Sequence, residues 1–97
     1  MLQRPYELVV IVNPNIREDG MPQMLERVGK YITDRGGTLE KQDVWGRRRL
    51  AYPIKKFIEG SYVQTDFQME TGAAAELENQ LRINEDILRH LLIRKDE

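Results

Sequence analysis

The chain has 97 residues, which suits one domain and is too short for two separately cored units. Lys+Arg number 15 and Asp+Glu 16, a net charge of −1, so no global positive field draws the chain onto nucleic acid or an anionic membrane, and polyanion binding requires a local patch. The absence of cysteine excludes disulfide scaffolds, thiolate zinc sites and thiol nucleophiles and suits a reducing compartment.

The longest apolar run, Leu8–Val12, falls far short of the roughly 20 residues that span a bilayer. Met1–Tyr6 has no basic region followed by an apolar stretch, so no signal peptide is expected. Tyr6–Asn13 is nearly all apolar and predicts a strand buried on both faces, closed by the turn residues Asn13-Pro14-Asn15. A helix follows. Pro22 suits its first turn, Met21, Leu25, Val28 and Ile32 share one face, and Gly36-Gly37 stops it.

Thr38–Tyr52 predicts a second strand, in which Gly46 marks a bulge or a close backbone approach. Pro53–Gly60 is expected to be a turn region. Ser61–Met69 alternates cleanly, with Val63, Thr65, Phe67 and Met69 on one face and Tyr62, Gln64, Asp66 and Gln68 on the other. Thr71 is expected to cap a second helix whose core face carries Ala74, Leu77 and Leu81, with Asn84 left-handed at its end. Ile87–Arg94 predicts the fourth strand.

The order strand, helix, strand, strand, helix, strand is the split βαβ pattern of an α+β, ferredoxin-like fold. Right-handed crossovers then place both helices on one face of a four-stranded antiparallel sheet. Leu8, Val10, Val12, Val63, Phe67 and Met69 are expected under the helices. Val9, Ile11, Leu91 and Ile93 are expected on the uncovered face, where apolar side chains need a partner.

Catalytic constellations are absent. The one histidine, His90, has no HxxxH, HExxH or nucleophile elbow around it and reads as a structural or surface residue. No glycine pattern cradles a phosphate, and Glu76, Glu78, Glu85 and Asp86 read as solvated helix surface. No enzyme, metal, cofactor or small-molecule substrate is expected.

Trp45–Lys56 stands apart, with five basic residues and no acid. Strand geometry sends Arg47 and Arg49 to one face and Arg48 to the other. Arginine forks suit phosphate oxygens, and Trp45 and Tyr52 can cover arginine stems. Two readings fit these residues: a polyanion contact, or charges that keep a sheet edge from pairing. Tyr6, Trp45, Tyr52 and Tyr62 offer rings for base stacking, although core and arginine-stem packing is the more ordinary use.

The string Trp45-Gly46-Arg47-Arg48-Arg49-Leu50-Ala51-Tyr52-Pro53-Ile54-Lys55-Lys56 resembles the signature of the bacterial family of protein six of the small ribosomal subunit. Tyr6-Glu7, the valine-rich strand, Asn13-Pro14 and the stretch from Asn84 to Arg94 also match, so the resemblance covers nearly the whole chain. It implies a cytoplasmic ribosome component with the split βαβ fold. It also implies binding to small-subunit ribosomal RNA in the platform region, jointly with small-subunit protein eighteen as a heterodimer partner, with no membrane involved. Family members often end in an acidic or disordered tail; the chain stops at Arg94-Lys95-Asp96-Glu97, and no tail function is expected.

Near-neutral charge agrees with joint binding, because affinity for RNA grows with the phosphates neutralised. The expected RNA contacts are Arg47, Arg48, Arg49, Lys55 and Lys56, with a secondary patch of Arg4, Arg94 and Lys95 at the ends of neighbouring strands. The expected protein contacts are Val9, Ile11, Arg89, Leu91 and Ile93. A ligand-binding regulatory module and a small enzyme share this fold, but the first leaves Arg47–Arg49 unexplained and the second lacks nucleophile, base and ligands.

Overall fold

The structure, a computed structural model, describes residues 2–96; Met1 and Glu97, which close the two terminal segments read above, lie outside the described residues. The elements are β1 (Arg4–Val12), α1 (Met21–Thr33), β2 (Thr38–Ile54), β3 (Phe57–Met69), α2 (Thr71–Ile83) and β4 (Ile87–Arg94), with a single 3-10 turn (Glu18–Gly20) leading into α1. The sheet runs in the order β2-β3-β1-β4 and every neighbouring pair is antiparallel. This is the split βαβ topology that the element order predicts. No helix among the described residues is long and apolar enough to cross a membrane.

The apolar run in β1 follows from its position. β1 pairs with β3 on one side and β4 on the other, so it is covered along both edges. Leu8, Val10 and Val12 point under the helices and are fully buried beside Val63, Phe67 and Met69 of β3. α1 adds Met21, Met24, Val28 and Ile32, and α2 adds Ala74, Leu77 and Leu81. Tyr6 stacks on Phe67 with ring centroids 5.6 Å apart. Met24 is buried on α1, whereas Leu25, expected on the core face, is only partly buried against it.

Three local expectations give way to different physics. The turn between β2 and β3 is not Pro53–Gly60 but only Lys55-Lys56, because β2 is an edge strand. There Pro53 can lack its N–H without breaking a ladder. Gly60 is not a turn residue either: it lies inside β3, where a Cβ would overlap Cγ2 of Ile11 and stand 3.3 Å from the Val12 carbonyl oxygen. Thr71 does not cap α2; Glu70 holds the cap position and Thr71 is the first helical residue. Asn84 is not left-handed. Its backbone is extended, and its side chain takes the ends of the connection instead: Oδ1 accepts from the Asp86 N–H at 2.9 Å and Nδ2 donates to the Tyr31 hydroxyl at 3.0 Å.

Gly46 does mark a bulge. Its φ is +99, and the β2–β3 register shifts between Val44 and Gly46. β1 pairing ends at Val12 opposite Ser61, so residues 47–60 continue as a two-stranded arm beyond the sheet. The arm curls onto the face that carries no helix. Leu50 seats there against Ile11 and Leu88, with Ile54, Phe57 and Tyr62 around them.

This second cluster corrects the expectation for Ile11. It lies on the helix-free face but is only 9% exposed, because the arm's close crossing at Gly60 roofs it. Leu91 and Ile93, farther along β4 and beyond the arm's reach, are 57% and 42% exposed.

Candidate nucleic-acid and protein interface

The arm carries the basic segment, and its geometry splits the arginines as strand alternation requires. Arg47 turns toward the helix side, where Nη2 donates to the Pro14 carbonyl oxygen at 2.7 Å. Arg48 turns the other way and lies over the Trp45 ring, 5.6 Å from its centroid. Trp45 is itself stacked nearly parallel on Tyr62. One tier of packing therefore holds the Arg48 stem and leaves its donors outward.

Arg47, Arg48, Arg49, Lys55 and Lys56 are all exposed. Among the described residues none of the five has a carboxylate at ion-pair distance, although Glu59 stands opposite Arg49 in the ladder. The tip is a strained pair. Lys55 and Lys56 have φ of 49 and 73, the left-handed conformations that a two-residue primed turn demands and that Asn-Gly usually supplies. Lysine at both positions costs about 1–2 kcal/mol per residue in backbone strain and puts two ammonium groups at the arm's end.

Beside the tip the hairpin is asymmetric. Between the pairs Arg49↔Glu59 and Ile54↔Phe57, β2 has four residues, 50–53, against the single Ile58 of β3. The three extra residues bow β2 outward and over. They bring Tyr52 to β4, where Arg89 Nη1 donates to its hydroxyl and the guanidinium lies 5.5 Å from the ring centroid. Spacing along the sequence could not reveal this pair, because a bulge of this size breaks the two-residue period on which strand reading rests. The covering role expected of Tyr52 is present, but the arginine it holds comes from β4 rather than from the arm.

The strand ends do bring Arg4, Arg94 and Lys95 together, and acids come with them. Arg94 Nε donates to Asp96 at 2.6 Å, Arg4 Nη1 reaches the other Asp96 oxygen at 3.4 Å, and Lys95 Nζ lies 3.7 Å from Asp66. The hydrogen bond from Arg94 holds the Asp96 carboxyl below its ordinary range, with the nearby charges of Arg94 and Arg4 adding to the effect. β4 ends at Arg94, and the Lys95 N–H still donates to the Pro5 carbonyl oxygen at 2.9 Å.

On the helix-free face, Val9, Ile11, Tyr62, Arg89 and Leu91 line a shallow groove of about 490 Å³. Ile11 forms its buried floor, Leu91 stands exposed at its side, and Ile93 continues the apolar strip along β4. His90 turns toward α2, where its Nε2 lies 3.1 Å from a Glu78 carboxylate oxygen, which fits a structural role. No cluster of His, Asp and Glu among the described residues could hold a metal ion.

Comparison with known proteins places this geometry. The family model for Ribosomal protein S6 matches residues 5–94. The chain is 47% identical over 94 residues to the small ribosomal subunit protein bS6 of Arthrobacter sp. (strain FB24), covering 97% of this chain and 93% of that one. It is 40% identical to the bS6 of Desulforamulus reducens, covering 97% and 99%. The crystal structure of 30S ribosomal protein S6 from Thermotoga maritima superposes with a TM-score of 0.89 at 37% identity, covering 97% of this chain and 89% of that one. The C-terminal domain of the MgtC protein from Mycobacterium tuberculosis shares the fold alone, with a TM-score of 0.67 at 11% identity. The chain belongs to the ribosomal protein S6 family, structural proteins of the small ribosomal subunit and not enzymes.

Proposed function

We propose that this small-subunit protein of the cytoplasmic ribosome binds ribosomal RNA of the platform region through its basic arm, as one half of a heterodimer with small-subunit protein eighteen. The observation that carries the RNA half is the set of cations on the arm, exposed and without carboxylate partners among the described residues. Cations already paired lose their partner's attraction when they turn to phosphate; these do not. Arg48, Arg49, Lys55 and Lys56 are the main contacts. Arg47 contributes with the donors that its bond to Pro14 leaves over. RNA duplexes are approached largely through backbone and shape, and a few such contacts position a protein without base readout. β2 is also the sheet edge, so the same charges discourage edge-to-edge pairing; the two roles are compatible.

For the protein partner, the supporting feature is the strip of Leu91 and Ile93 beside Val9, with Arg89 held at its border by Tyr52. Ile11 supports the strip from below. Leu91→Asp places a charge on an exposed position, so the fold is expected to survive while partner binding falls by about 2–5 kcal/mol. Ile11→Asp buries a charge under the arm and is expected to unfold the arm or the domain. Circular dichroism and calorimetric titration with the partner separate the cases. A folded Leu91→Asp protein with undiminished affinity moves the interface elsewhere, to the exposed edge of β2. The wider reading is tested by co-sedimentation with small subunits that lack this protein, and failure to join them rejects it.

A further inference from the structure

A third basic locus lies where the arm tip meets the corner between α2 and β4. Lys55 of the tip, Arg82 of the last turn of α2 and Arg89 of β4 line one groove of about 330 Å³, floored by Leu88 and walled by His90. Each cation comes from a different element, so folding, not a basic run in the sequence, brings them together. No carboxylate is among the lining residues. Two of the three are positioned by hydrogen bonds. Arg82 Nη1 donates to the Asn79 side-chain oxygen at 2.9 Å, and Arg89 is fixed by the Tyr52 hydroxyl and ring. Lys55 is set by a left-handed backbone with φ of 49.

Opposing charge is small. Glu78 is turned to His90, 3.1 Å away. The C-terminal end of α2 carries the negative end of the helix dipole, about half an elementary charge. Three full cations outweigh both. They line one groove with no acid in its lining, an arrangement that an oxyanion completes: planar forks and a point charge both suit phosphate oxygens.

We infer that this corner binds one phosphodiester of the RNA backbone, a contact separate from the 47–49 stretch and reached only because the arm folds over the sheet. The inference rests on the RNA-binding reading above and adds Arg82 to the residues that perform it. With the arm's flank on one side and this corner on the other, one RNA strand is held at two points rather than along one stripe.

The test is an Arg82→Gln variant, bound to small-subunit ribosomal RNA with protein eighteen present over a range of salt. The slope of log K against log salt is expected to fall by about one unit, equivalent to about a tenfold loss of affinity near 0.1 M salt. Circular dichroism and RNA-free affinity for protein eighteen are expected to stay at wild-type values. A wild-type slope in this variant, beside a reduced slope in Arg48→Gln/Arg49→Gln, overturns the corner site and leaves the RNA-binding reading standing. Wild-type slopes in both variants overturn that reading and the corner with it. A loss of affinity for protein eighteen without RNA reassigns the corner to protein and overturns the inference. So does saturable binding of inorganic phosphate at Arg82 and Arg89 with no change in RNA affinity.

Discussion

The arm and the strand ends are both basic in sequence, but in space only the strand-end cations meet carboxylates at ion-pair distance among the described residues. The arm holds five cations with Glu59 as the one acid across the ladder, and all five stand exposed. The strand ends hold Arg4, Arg94 and Lys95, but Asp96 takes both arginines and Asp66 takes the lysine. The difference comes from topology. The arm projects past β1, so the rest of the sheet brings no acid to it. The strand ends lie where interior β1 meets edge strand β4; the antiparallel register delivers Asp66 from β3, on the other side of β1, and the chain beyond β4 delivers Asp96. A cation count along the chain therefore leaves out the acids that meet the second region, and the field around a strand end depends on what its neighbours carry.

Removing charge from each region in turn separates the two most directly. Arg48→Gln/Arg49→Gln/Lys56→Gln is expected to lower the salt slope of RNA binding by about two to three units, about 0.7–0.9 per phosphate contact. Arg4→Ala/Arg94→Ala/Lys95→Ala is expected to leave the slope within about half a unit of wild type and the chemical footprint unchanged, because those cations are already engaged with Asp96 and Asp66. An equal fall in both variants would mean that RNA displaces the acids and would restore the strand ends to the interface.

Most of the fold is legible in the sequence because each element keeps its period. The alternation of Val63, Thr65, Phe67 and Met69, the helical spacing of Ala74, Leu77 and Leu81, and the apolar run of β1 all survive into the core. The candidate site is less legible, for identifiable reasons. Pro53 and Gly60 read as turn residues, but an edge strand tolerates the first and the close crossing over Ile11 requires the second. Three extra residues in β2 then re-aim Tyr52 toward Arg89, and no local pattern encodes that meeting. Ile11 was assignable to the helix-free face by parity; its burial depends on a contact made some forty residues later in the chain.

At the arm's tip, stability and charge conflict. Lys56 has φ of 73, where glycine is unstrained. Lys56→Gly is expected to stabilise the protein by about 1 kcal/mol through relief of that strain, partly offset by the greater freedom of glycine in the unfolded chain. The same change removes one arm cation and is expected to lower the RNA salt slope by under one unit. Thermal melting and the salt titration on one preparation read both. A variant that is less stable than wild type would show that the Lys56 side chain packs in the arm rather than serving as a solvated charge.

The smallest expected effect lies at the strand ends and concerns Asp96. Its folded pKa is depressed, first by the hydrogen bond from Arg94 and then by the charges of Arg94 and Arg4. A depressed carboxylate stabilises the fold at pH values above its unfolded pKa, about 3.9, and that contribution is lost as pH falls through the lower folded value. At neutral pH Asp96 is therefore ionised beside both arginines, and a phosphate approaching the strand ends has to compete with it. The carboxyl carbon shift of Asp96, followed by NMR, is expected to titrate below the ordinary aspartate range, and the depression is expected to shrink in high salt because the group is exposed to solvent. In Asp96→Asn, Arg4 loses this carboxylate at every pH and is then expected to add a fraction of a unit to the RNA salt slope. An unshifted titration in the wild-type protein, or no gain in Asp96→Asn, would show that the acid is not what separates the strand ends from the arm.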